Sequence, residues 1–548
     1  MRIALAQINL HVGNFEYNRG KILKAIRQAR DQKADLVVFP ELTVCGYPPL
    51  DLLYDEAFID ACMQNVELIA GECKGIGAII GGPSRNRSAG GKSLFNSAFL
   101  LSEGDIHFVY HKGLLPTYDV FNEYRYFEPA KRFSTVNFAG KRIAITVCED
   151  IWNIDQQGMY PVTPPDLLMK EHPELMINIS ASPFAWNHRP QRYQIIAENA
   201  RMYNIPVFSV NLVGGQTDLL FDGASAVCNA QGKLVGALPA FREAFAVYEA
   251  DGLERLPVIP QLPPPGDHEK IRLIYDGLVL GIRDYFAKTG VKQAILGLSG
   301  GIDSAVTLVL AVDALGAENV WAVLLPGPYS SDHSVTDAKV LAEKLGVTYD
   351  IISINEAVRS FENSLEPLFA STKPGIAEEN IQARARAVML MALSNKFGHM
   401  LLNTSNKSEA AVGYGTLYGD MCGGISVLGD VYKTEVYGLA KLINEHEEII
   451  PENSITKPPS AELKPDQKDT DSLPDYALLD ALLYCMLEKQ EGTEEMIRAG
   501  FDKETVIRVK KMLHLSEYKR RQSPPILRVS PKCLGIGREM PLEAKNFL

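Results

Sequence analysis

Residues 293–304 have the sequence QAILGLSGGIDS and decide the fold of the second half of the chain. The segment begins as an apolar run of strand character, passes two adjacent glycines and continues from Asp303 as a helical pattern. Adjacent glycines let the backbone approach a ligand closely, and the NH groups at the start of a helix attract an anion. The segment therefore predicts a phosphate-binding loop between a strand and a helix.

Strand and helix patterns alternate on both sides of this loop. In order, we expect an amphipathic helix at about 268–288, strand QAILGLSG, a helix from Asp303, strand NVWAVLLPG, a helix near 334–346 and strand TYDIISI. Strict alternation favours a doubly wound, Rossmann-like parallel sheet, which binds its ligand at the carboxyl ends of the strands.

Asp303 distinguishes this loop from the Walker type. No GKS or GKT follows the glycines, and an acidic side chain stands in the middle of the anion site. A carboxylate beside phosphates requires a divalent cation between them, which suggests Mg²⁺ bridging Asp303 and a pyrophosphate. The triplet SGG alone is a common turn, but IDS at a strand-to-helix junction favours the nucleotide site.

A proline-rich segment divides the chain. At 548 residues the chain is too long for one hydrophobic core. Residues 257–268, PVIPQLPPPGDH, contain five prolines and a glycine, which is typical of an interdomain connector. We predict domains at 1–257 and 268–548, joined by a linker at 258–267.

Strand-like runs recur before the linker and alternate with amphipathic helical stretches at 18–33 and 190–203, which favours an α/β sandwich. The runs are RIALAQINL, ADLVVFPEL, GAIIGG, SAFLL, KRIAITVC, ELMINIS and VFSVNLV.

Composition limits the possible partners and the compartment. A net charge of −12 leaves no basic field for a nucleic-acid backbone. No segment has the roughly 18 uncharged apolar residues of a membrane span, and the start lacks a signal-peptide pattern. The eight cysteines are scattered singly, without zinc-ligand spacing. We expect a cytoplasmic protein that binds small molecules.

Glu41, Lys112 and Cys148 each follow a strand-like run of the first domain. Taken singly, the cysteine is a packed core thiol and the two charges are solvated. Taken together, they match amide hydrolysis through a thiol. That chemistry needs a base for the thiol proton, a cation for the anionic intermediate and a strand end that exposes the sulfur.

The segments FPELTVCGYPP, HKGLLPTYDVFNEYRYF and VCEDIW resemble the Glu, Lys and Cys motifs of the nitrilase superfamily. The resemblance covers most of residues 1–255 and implies an α-β-β-α sandwich. It implies Cys148 as nucleophile, Glu41 as general base and Lys112 as the ammonium that supports the oxyanion, helped by the backbone NH after Cys148. It also places a second glutamate, Glu123, beside the cation; the alternative for Glu123 is a surface carboxylate.

The triad specifies amidase chemistry without specifying the amide. By resemblance to the glutaminase branch of the superfamily, Tyr118, Ser182 and His188 bind glutamine. Hydroxyls and an imidazole partly satisfy the ammonium and carboxylate of a free amino acid.

SGGIDS resembles the ATP loop of the N-type ATP pyrophosphatases, which break ATP between the α and β phosphates and adenylate a substrate oxygen. Residues 268–548 also resemble the NAD synthetase family in ENIQARAR, LLNTSNKSE, YGTLYGD, LGDVYKTEVY, KPPSAEL and EYKRRQSPP. This resemblance implies that ATP adenylates the carboxylate of deamido-NAD, with Mg²⁺ as cofactor. Ammonia then attacks the adenylate.

The resemblance carries over residue by residue. The ATP contacts are Gly297, Leu298, Ser299, Gly300, Gly301, Ile302, Asp303, Ser304, Thr404, Lys433 and Ser460, the last standing where relatives often have threonine. The metal ligands are Asp303 and Glu409, and the deamido-NAD contacts are Asn380, Arg384, Glu409 and Lys519.

Two positions near the dinucleotide need comment. Asn380 and Arg384 lie one turn apart on an expected helix, which presents both to the same side. At Leu417, ammonia-only relatives carry a lysine that touches the dinucleotide, so that contact is lost here or supplied from another position.

Two alternatives remain open. One is another glutamine amidotransferase with the same ATP loop acting on a different carboxylate, such as GMP synthetase or asparagine synthetase, although those have unrelated glutaminase domains. The other is that one half has lost its chemistry and serves as a binding module, against which the complete triad and intact loop argue. The resemblance also implies a homodimer through the synthetase domain, possibly assembled further.

An ammonia-producing domain joined to an ammonia-consuming domain predicts a shielded passage, because free ammonia is mostly protonated at neutral pH and an ammonium ion is not a nucleophile. With isotope-labelled ammonium in the buffer and unlabelled glutamine as substrate, we expect mass spectrometry to find little label in the product amide. Free mixing of the label would contradict the passage.

Overall fold

The computed structural model describes residues 1–88, 90–154, 159–260 and 262–544. The chain divides into two compact units, Met1–Pro265 and Gly266–Leu548. The division falls within the proline-rich segment. The finer limits of 1–257 and 268–548 around a linker at 258–267 stay a prediction, and residue 261 of that linker lies outside the described residues.

Unit 1 is built from strands and helices in alternation. Its strands are β1 (Arg2–Gln7), β2 (Leu36–Val38), β3 (Gly77–Arg85), β4 (Leu94–Ser102), β5 (Asp105–His111), β6 (Val136–Phe138), β7 (Lys141–Val147), β8 (Leu175–Ser180), β9 (Val207–Asn211), β10 (Val213–Gln216), β11 (Leu219–Asp222), β12 (Ala226–Cys228), β13 (Leu234–Ala237) and β14 (Ala244–Glu249). Its α-helices are α1 (Phe15–Asp31), α2 (Glu56–Gly71), α3 (Pro164–Leu168) and α4 (His188–Tyr203).

Two six-stranded sheets lie face to face in the described part of unit 1. Their strand orders are β14-β1-β2-β3-β4-β5 and β13-β12-β9-β8-β7-β6. Each sheet buries one face against the other sheet and packs its second face on helices, α1 and α2 in one case and α3 and α4 in the other. Coverage on both faces explains why the central strands are continuous aliphatic runs. The predicted α-β-β-α sandwich is confirmed.

Every strand expected from the sequence of this unit is present. Strands β5, β6 and β10 to β14 were not expected, and β14 is an edge strand. It pairs antiparallel with β1, from Arg2 opposite Glu249 to Gln7 opposite Ala244. All of β14 is intermediate or exposed, so its apolar residues lack the burial pattern that marks the inner strands.

Unit 2 has a small sheet and many helices. Its strands are β15 (Ala294–Gly297), β16 (Val320–Leu324), β17 (Thr348–Ile351), β18 (Met400–Asn403) and β19 (Ile425–Ser426). Its helices are α5 (Asp267–Thr289), α6 (Ile302–Leu315), α7 (Asp332–Lys344), α8 (Asn355–Phe369), α9 (Ile376–Phe397), α10 (Lys407–Val412), α11 (Lys433–Ile443), α12 (Glu452–Thr456), α13 (Tyr476–Leu487), α14 (Thr493–Arg498), α15 (Lys503–Leu515) and α16 (Glu517–Arg520).

The sheet of unit 2 is parallel, with the order β17-β16-β15-β18-β19 in the described residues. Helix α6 packs on β15 and β16, and α9 packs on β15 and β18. Strand order reverses between β15 and β18, and ligands of such sheets bind in the crevice at that point. The predicted doubly wound sheet is confirmed.

Strict alternation ends at residue 351. Two helices, α8 and α9, separate β17 from β18, and helices α13 to α15 form a second apolar core with α10. None of the helices in the described ranges is long and apolar enough to cross a bilayer.

Candidate active sites

A buried ammonium lies between two carboxylates at strand ends of unit 1. Lys112 Nζ donates to Glu41 Oε1 at 2.7 Å and to both carboxylate oxygens of Glu123 at 2.9 Å. The lysine is fully buried, and both glutamates are buried with it. Charges survive such burial only when they are paired and hydrogen-bonded. Glu123 is therefore not a surface carboxylate.

Asn96 and Tyr47 complete this cluster, and neither was predicted from the sequence. The Asn96 side-chain amide donates to Glu41 Oε1 at 2.7 Å and to Glu123 Oε2 at 3.3 Å. The Tyr47 hydroxyl donates to Glu123 Oε1 at 3.0 Å. The backbone NH of Ala181 donates to the other oxygen of Glu41 at 3.0 Å. Each carboxylate is thereby fixed in orientation.

The turn that carries Glu41 passes very close to β3. A Cβ at Gly81 would lie 2.2 Å from the backbone nitrogen of Leu42 and 2.9 Å from the Cα of Glu41. Glycine at position 81 therefore lets the turn after β2 cross the neighbouring strand and aim Glu41 at Lys112.

Cys148 directly follows the last residue of β7, and its φ of +44° is in the left-handed region. A non-glycine residue there is strained, as often occurs where a nucleophile is held at a sharp turn. Burial raises the pKa of the Cys148 thiol well above its usual value, and Glu41 adds to that rise while Lys112 opposes it. A thiol whose pKa is raised in this way would need a base in order to act as a nucleophile.

Burial and neighbouring charges also shift the pKa values of Lys112 and Glu123. Burial lowers the pKa of Lys112, but Glu123 and Glu41 outweigh it and hold that pKa well above its usual value. Burial raises the pKa of Glu123 and Lys112 opposes the rise. A raised pKa favours the charged form of this lysine, which is the form that stabilisation of an oxyanion requires.

Of the predicted glutamine-binding residues, Tyr118 contacts the residue that follows the thiol. The hydroxyls of Tyr118 and Tyr160 both donate to Glu149 Oε1 at 2.9 Å. Burial raises the pKa of this glutamate. Ser182 is buried, with its NH bonded to Asn211 Oδ1 at 2.8 Å, and the His188 ring lies 3.3 Å from the carbonyl of Pro183. Glu149 was missed, although its place after Cys148 was a usable signal.

A second constellation lines a cavity of about 440 Å³ at the carboxyl ends of β15, β16 and β18. The predicted residues that line it are Gly297, Leu298, Ser299, Gly301, Ile302, Asp303, Ser304, Asn380, Thr404, Glu409, Lys433, Ser460 and Lys519. The cavity therefore lies at the switch point that the fold provides for a ligand.

A hydroxyl group at the start of α6 hydrogen-bonds to the backbone of the loop between β15 and α6. Ser304 Oγ accepts from the NH of Ser299 at 3.2 Å and donates to the carbonyl of Gly301 at 3.0 Å. Among the described residues no side chain caps α6, so its first NH groups are available to an anion. Gly300 has a φ of +77°, and a Cβ there would lie 2.1 Å from the carbonyl oxygen of Ser334.

Lys433 bridges the two acidic residues of the cavity. Its Nζ donates to Asp303 Oδ2 at 2.5 Å and to Glu409 Oε1 at 3.2 Å. Asn406 donates to the other oxygen of Asp303 at 2.9 Å. Burial raises the pKa of Glu409 to about 7, and Asp303 adds to the rise while Lys433 opposes it.

These residues fit a magnesium ion. Mg²⁺ is usually bound by one or two carboxylates together with phosphate oxygens, and Asp303 and Glu409 face a phosphate loop. No group of three or more His, Cys, Asp or Glu with metal-binding geometry occurs in the part of the chain that the structure describes. Phosphate oxygens would therefore have to complete the coordination.

The residues predicted to contact deamido-NAD make different hydrogen bonds. Asn380 Oδ1 accepts from the Thr416 hydroxyl at 2.7 Å, and Lys519 Nζ donates to the carbonyls of Gly413 and Gly415 at 2.8 and 2.6 Å. Arg384 is exposed, does not belong to the residues that line the cavity, and donates to the Leu417 carbonyl at 3.2 Å.

Arg386 lines the cavity and was not predicted. It is largely buried and donates to the carbonyl of Leu325 at 3.0 Å. Burial lowers the pKa of its guanidinium. The sequence offered no signal to prefer it over Arg384, because both belong to the same ARAR repeat.

Two protein families match the two units. The carbon-nitrogen hydrolase family matches residues 2–253, and the NAD synthase family matches residues 274–523.

Relatives match along the whole chain. A glutamine-dependent NAD(+) synthetase from Synechocystis is 44% identical over 550 residues, covering 98% of both chains. One from Acinetobacter baylyi is 41% identical, covering 99% of this chain and 98% of its own.

Solved structures match as well. The glutamine-dependent NAD(+) synthetase from Acinetobacter baumannii in complex with ADP is 39% identical, with a TM-score of 0.77 and coverage of 99% of this chain and 98% of that one. A synthetase from Cytophaga hutchinsonii, 20% identical with a TM-score of 0.84 and the same coverage, shares the fold.

We predict that Gly300→Ala impairs the ATP-consuming reaction and leaves glutamine hydrolysis intact. The left-handed backbone alone costs about 1–2 kcal/mol for alanine, and the new methyl would collide with Ser334. Steady-state kinetics should show at least a tenfold rise in the KM for ATP. Gly290→Ala, also left-handed but with open space around its Cβ, is the matched control for backbone strain. Equal effects of the two substitutions would contradict the prediction.

Proposed function

This chain belongs to the glutamine-dependent NAD(+) synthetases, and we propose that its two buried constellations divide the reaction of that family between them. The enzyme is a ligase that forms a carbon–nitrogen bond with glutamine as amido donor. It amidates deamido-NAD through an adenylated intermediate, giving NAD, AMP, diphosphate and glutamate. The relatives do not support the alternative in which a different carboxylate is amidated.

The single observation that carries the proposal for unit 1 is the burial of Lys112 between Glu41 and Glu123, next to the Cys148 turn. In the proposed step Glu41 takes the thiol proton, and the sulfur attacks the side-chain carbonyl of glutamine. Lys112 and the backbone NH of Glu149 stabilise the oxyanion. Ammonia leaves with the proton returned by Glu41, and water then hydrolyses the thioester to glutamate.

Glutamine recognition follows from the surroundings of the thiol. A free amino acid presents an ammonium, which needs acceptors, and a carboxylate, which needs donors. The buried carboxylate of Glu149, held by Tyr118, supplies an acceptor directly after the nucleophile. We assign donors for the substrate carboxylate to Ser182 and His188.

In unit 2, ATP occupies the cavity at the ends of β15 and β18. The loop Gly297–Ser304 would hold the phosphates through backbone NH groups, and Thr404 and Ser460 line the same space. Bound Mg²⁺ would supply positive charge between Asp303, Glu409 and the phosphates. The Lys433 ammonium, already held by both carboxylates, would orient them and neutralise charge when diphosphate leaves.

We assign the binding of deamido-NAD to Asn380, Glu409 and Lys519, which line the cavity, and to Arg384. Arg384 bonds the backbone of Leu417, so its guanidinium stands beside the position where ammonia-only relatives carry a lysine. This supports Arg384 as the residue that supplies the missing cation.

Two further properties are proposed. The described cysteines are all unpaired thiols, which supports a reducing, cytoplasmic compartment. Helices α8 and α9 leave apolar side chains exposed, among them Phe361 at 47%, Leu368 at 76% and Val388 at 61%. Exposed apolar side chains on two neighbouring helices support a second copy of the chain as partner.

We predict that Cys148→Ala abolishes NAD synthesis from glutamine and leaves synthesis from ammonium salts unchanged, because the synthetase site lies in the other unit. The measurement is NAD formation with either nitrogen source. Cys228→Ala, which removes another buried thiol of unit 1, should retain both activities. Glutamine-driven synthesis by Cys148→Ala would assign the nucleophile to another residue.

We predict that the double substitution Phe361→Glu and Val388→Glu lowers the particle mass measured by light scattering, because carboxylates cannot be buried in an apolar contact. Leu515→Glu, on α15 with 65% exposure, is the control and should leave the mass unchanged. An unchanged mass in the double variant would place the contact between copies elsewhere.

A further inference from the structure

Asp150 lies two residues after Cys148, and its carboxylate is fully buried. Four donors converge on it. Its Oδ1 accepts from the backbone NH groups of Gly113 and Leu114, both at 2.9 Å. Its Oδ2 accepts from the NH of Val147 and the hydroxyl of Tyr110, both at 3.0 Å.

These donors are neighbours in sequence of Lys112 and Cys148, the proposed cation and nucleophile of the amidase site. Gly113 and Leu114 directly follow Lys112, and Val147 directly precedes Cys148. Strand β5, which leads to Lys112, belongs to one sheet of the sandwich, and β7, which leads to Cys148, belongs to the other. No ladder of backbone hydrogen bonds joins the described strands of the two sheets. The relative position of cation and sulfur therefore depends on side-chain contacts.

We propose that Asp150 is a positioning residue that fixes the Cys148 sulfur relative to the Lys112 ammonium by joining the two strand ends through one carboxylate. The inference rests on the proposed roles of Cys148 and Lys112 and adds a third residue that touches neither the substrate nor the reacting atoms.

A carboxylate suits this position for a chemical reason. Three backbone NH groups and one hydroxyl need acceptors, and only an ionised carboxyl offers acceptors on both oxygens. Burial raises the pKa of Asp150 to about 6, while the NH groups of Val147 and Leu114 oppose the rise. Asparagine would turn its NH₂ group towards other donors and release one of the two strand ends.

The test is Asp150→Asn, with glutamine hydrolysis measured as kcat and KM separately. A misplacement of about 1 Å costs on the order of 100-fold in rate. We expect kcat to fall by about 100-fold with the KM for glutamine changed less than about threefold. The rate of covalent labelling of Cys148 by an electrophilic glutamine analogue should fall in parallel. Ammonia-driven synthesis by the same preparation should be unchanged.

Asp222→Asn is the matched control, since it also removes a buried carboxylate of unit 1, one bound by Arg192 at 2.9 Å. It should lower the melting temperature without changing the kcat of the folded enzyme. A kcat for Asp150→Asn that falls only as far as that of Asp222→Asn would overturn the inference. If Asp150→Asn does not fold, Tyr110→Phe removes one of the four bonds. It should lower kcat about tenfold, and an unchanged kcat would overturn the inference.

The two proposals fail in different ways. Glutamine-driven synthesis that survives Cys148→Ala defeats the proposed function. Loss of activity in Cys148→Ala together with full activity in Asp150→Asn defeats only the positioning role.

Discussion

The ion pair between Lys112 and its two glutamates constrains the whole of unit 1. A buried ammonium is tolerated only where acceptors surround it, and here the lysine and its two glutamates come from three separate segments of the chain. The turn after β2 must bring Glu41, β5 must end at Lys112, and the loop beyond it must fold back to bring Glu123. The two-sheet sandwich supplies the dry centre in which these charges retain their strength.

Unit 2 contains a similar arrangement of ion pairs in different surroundings. Lys433 also bridges two acidic side chains, but those carboxylates line an open cavity and not a closed cluster. In the function that we propose, the ammonium of unit 1 stabilises the charge that develops on the substrate. The ammonium of unit 2 would hold two carboxylates side by side for the nucleotide and its metal. The difference lies in solvent access, because the paired groups are similar.

The fold was largely predictable because both units are governed by periodicity. Aliphatic runs fixed the inner strands, and QAILGLSGGIDS fixed the junction at the centre of the doubly wound sheet. Glu41, Lys112 and Cys148 were predicted as site residues because each follows a recognisable run, and the structure pairs Lys112 with Glu41. Asn96 could not be found, because an asparagine inside a strand is equally compatible with many packing roles. Arg386 was not predicted because helical periodicity shows which residues share a face of α9 but not which face lines the cavity. Glu149 and Asp150 directly follow Cys148 in the sequence, but their partners are distant in sequence and become evident only in three dimensions.

Burial of the Cys148 thiol, which is 5% exposed, has a consequence for durability. Oxidants such as hydrogen peroxide react with thiolates that they can reach, and burial both restricts access to this sulfur and raises its pKa. Such a sulfur should survive long periods in aerated solution without a protecting reductant. In the mechanism that we propose, the thiolate forms only when glutamine is attacked, so oxidative damage should be greater while the enzyme is turning over than while it is idle.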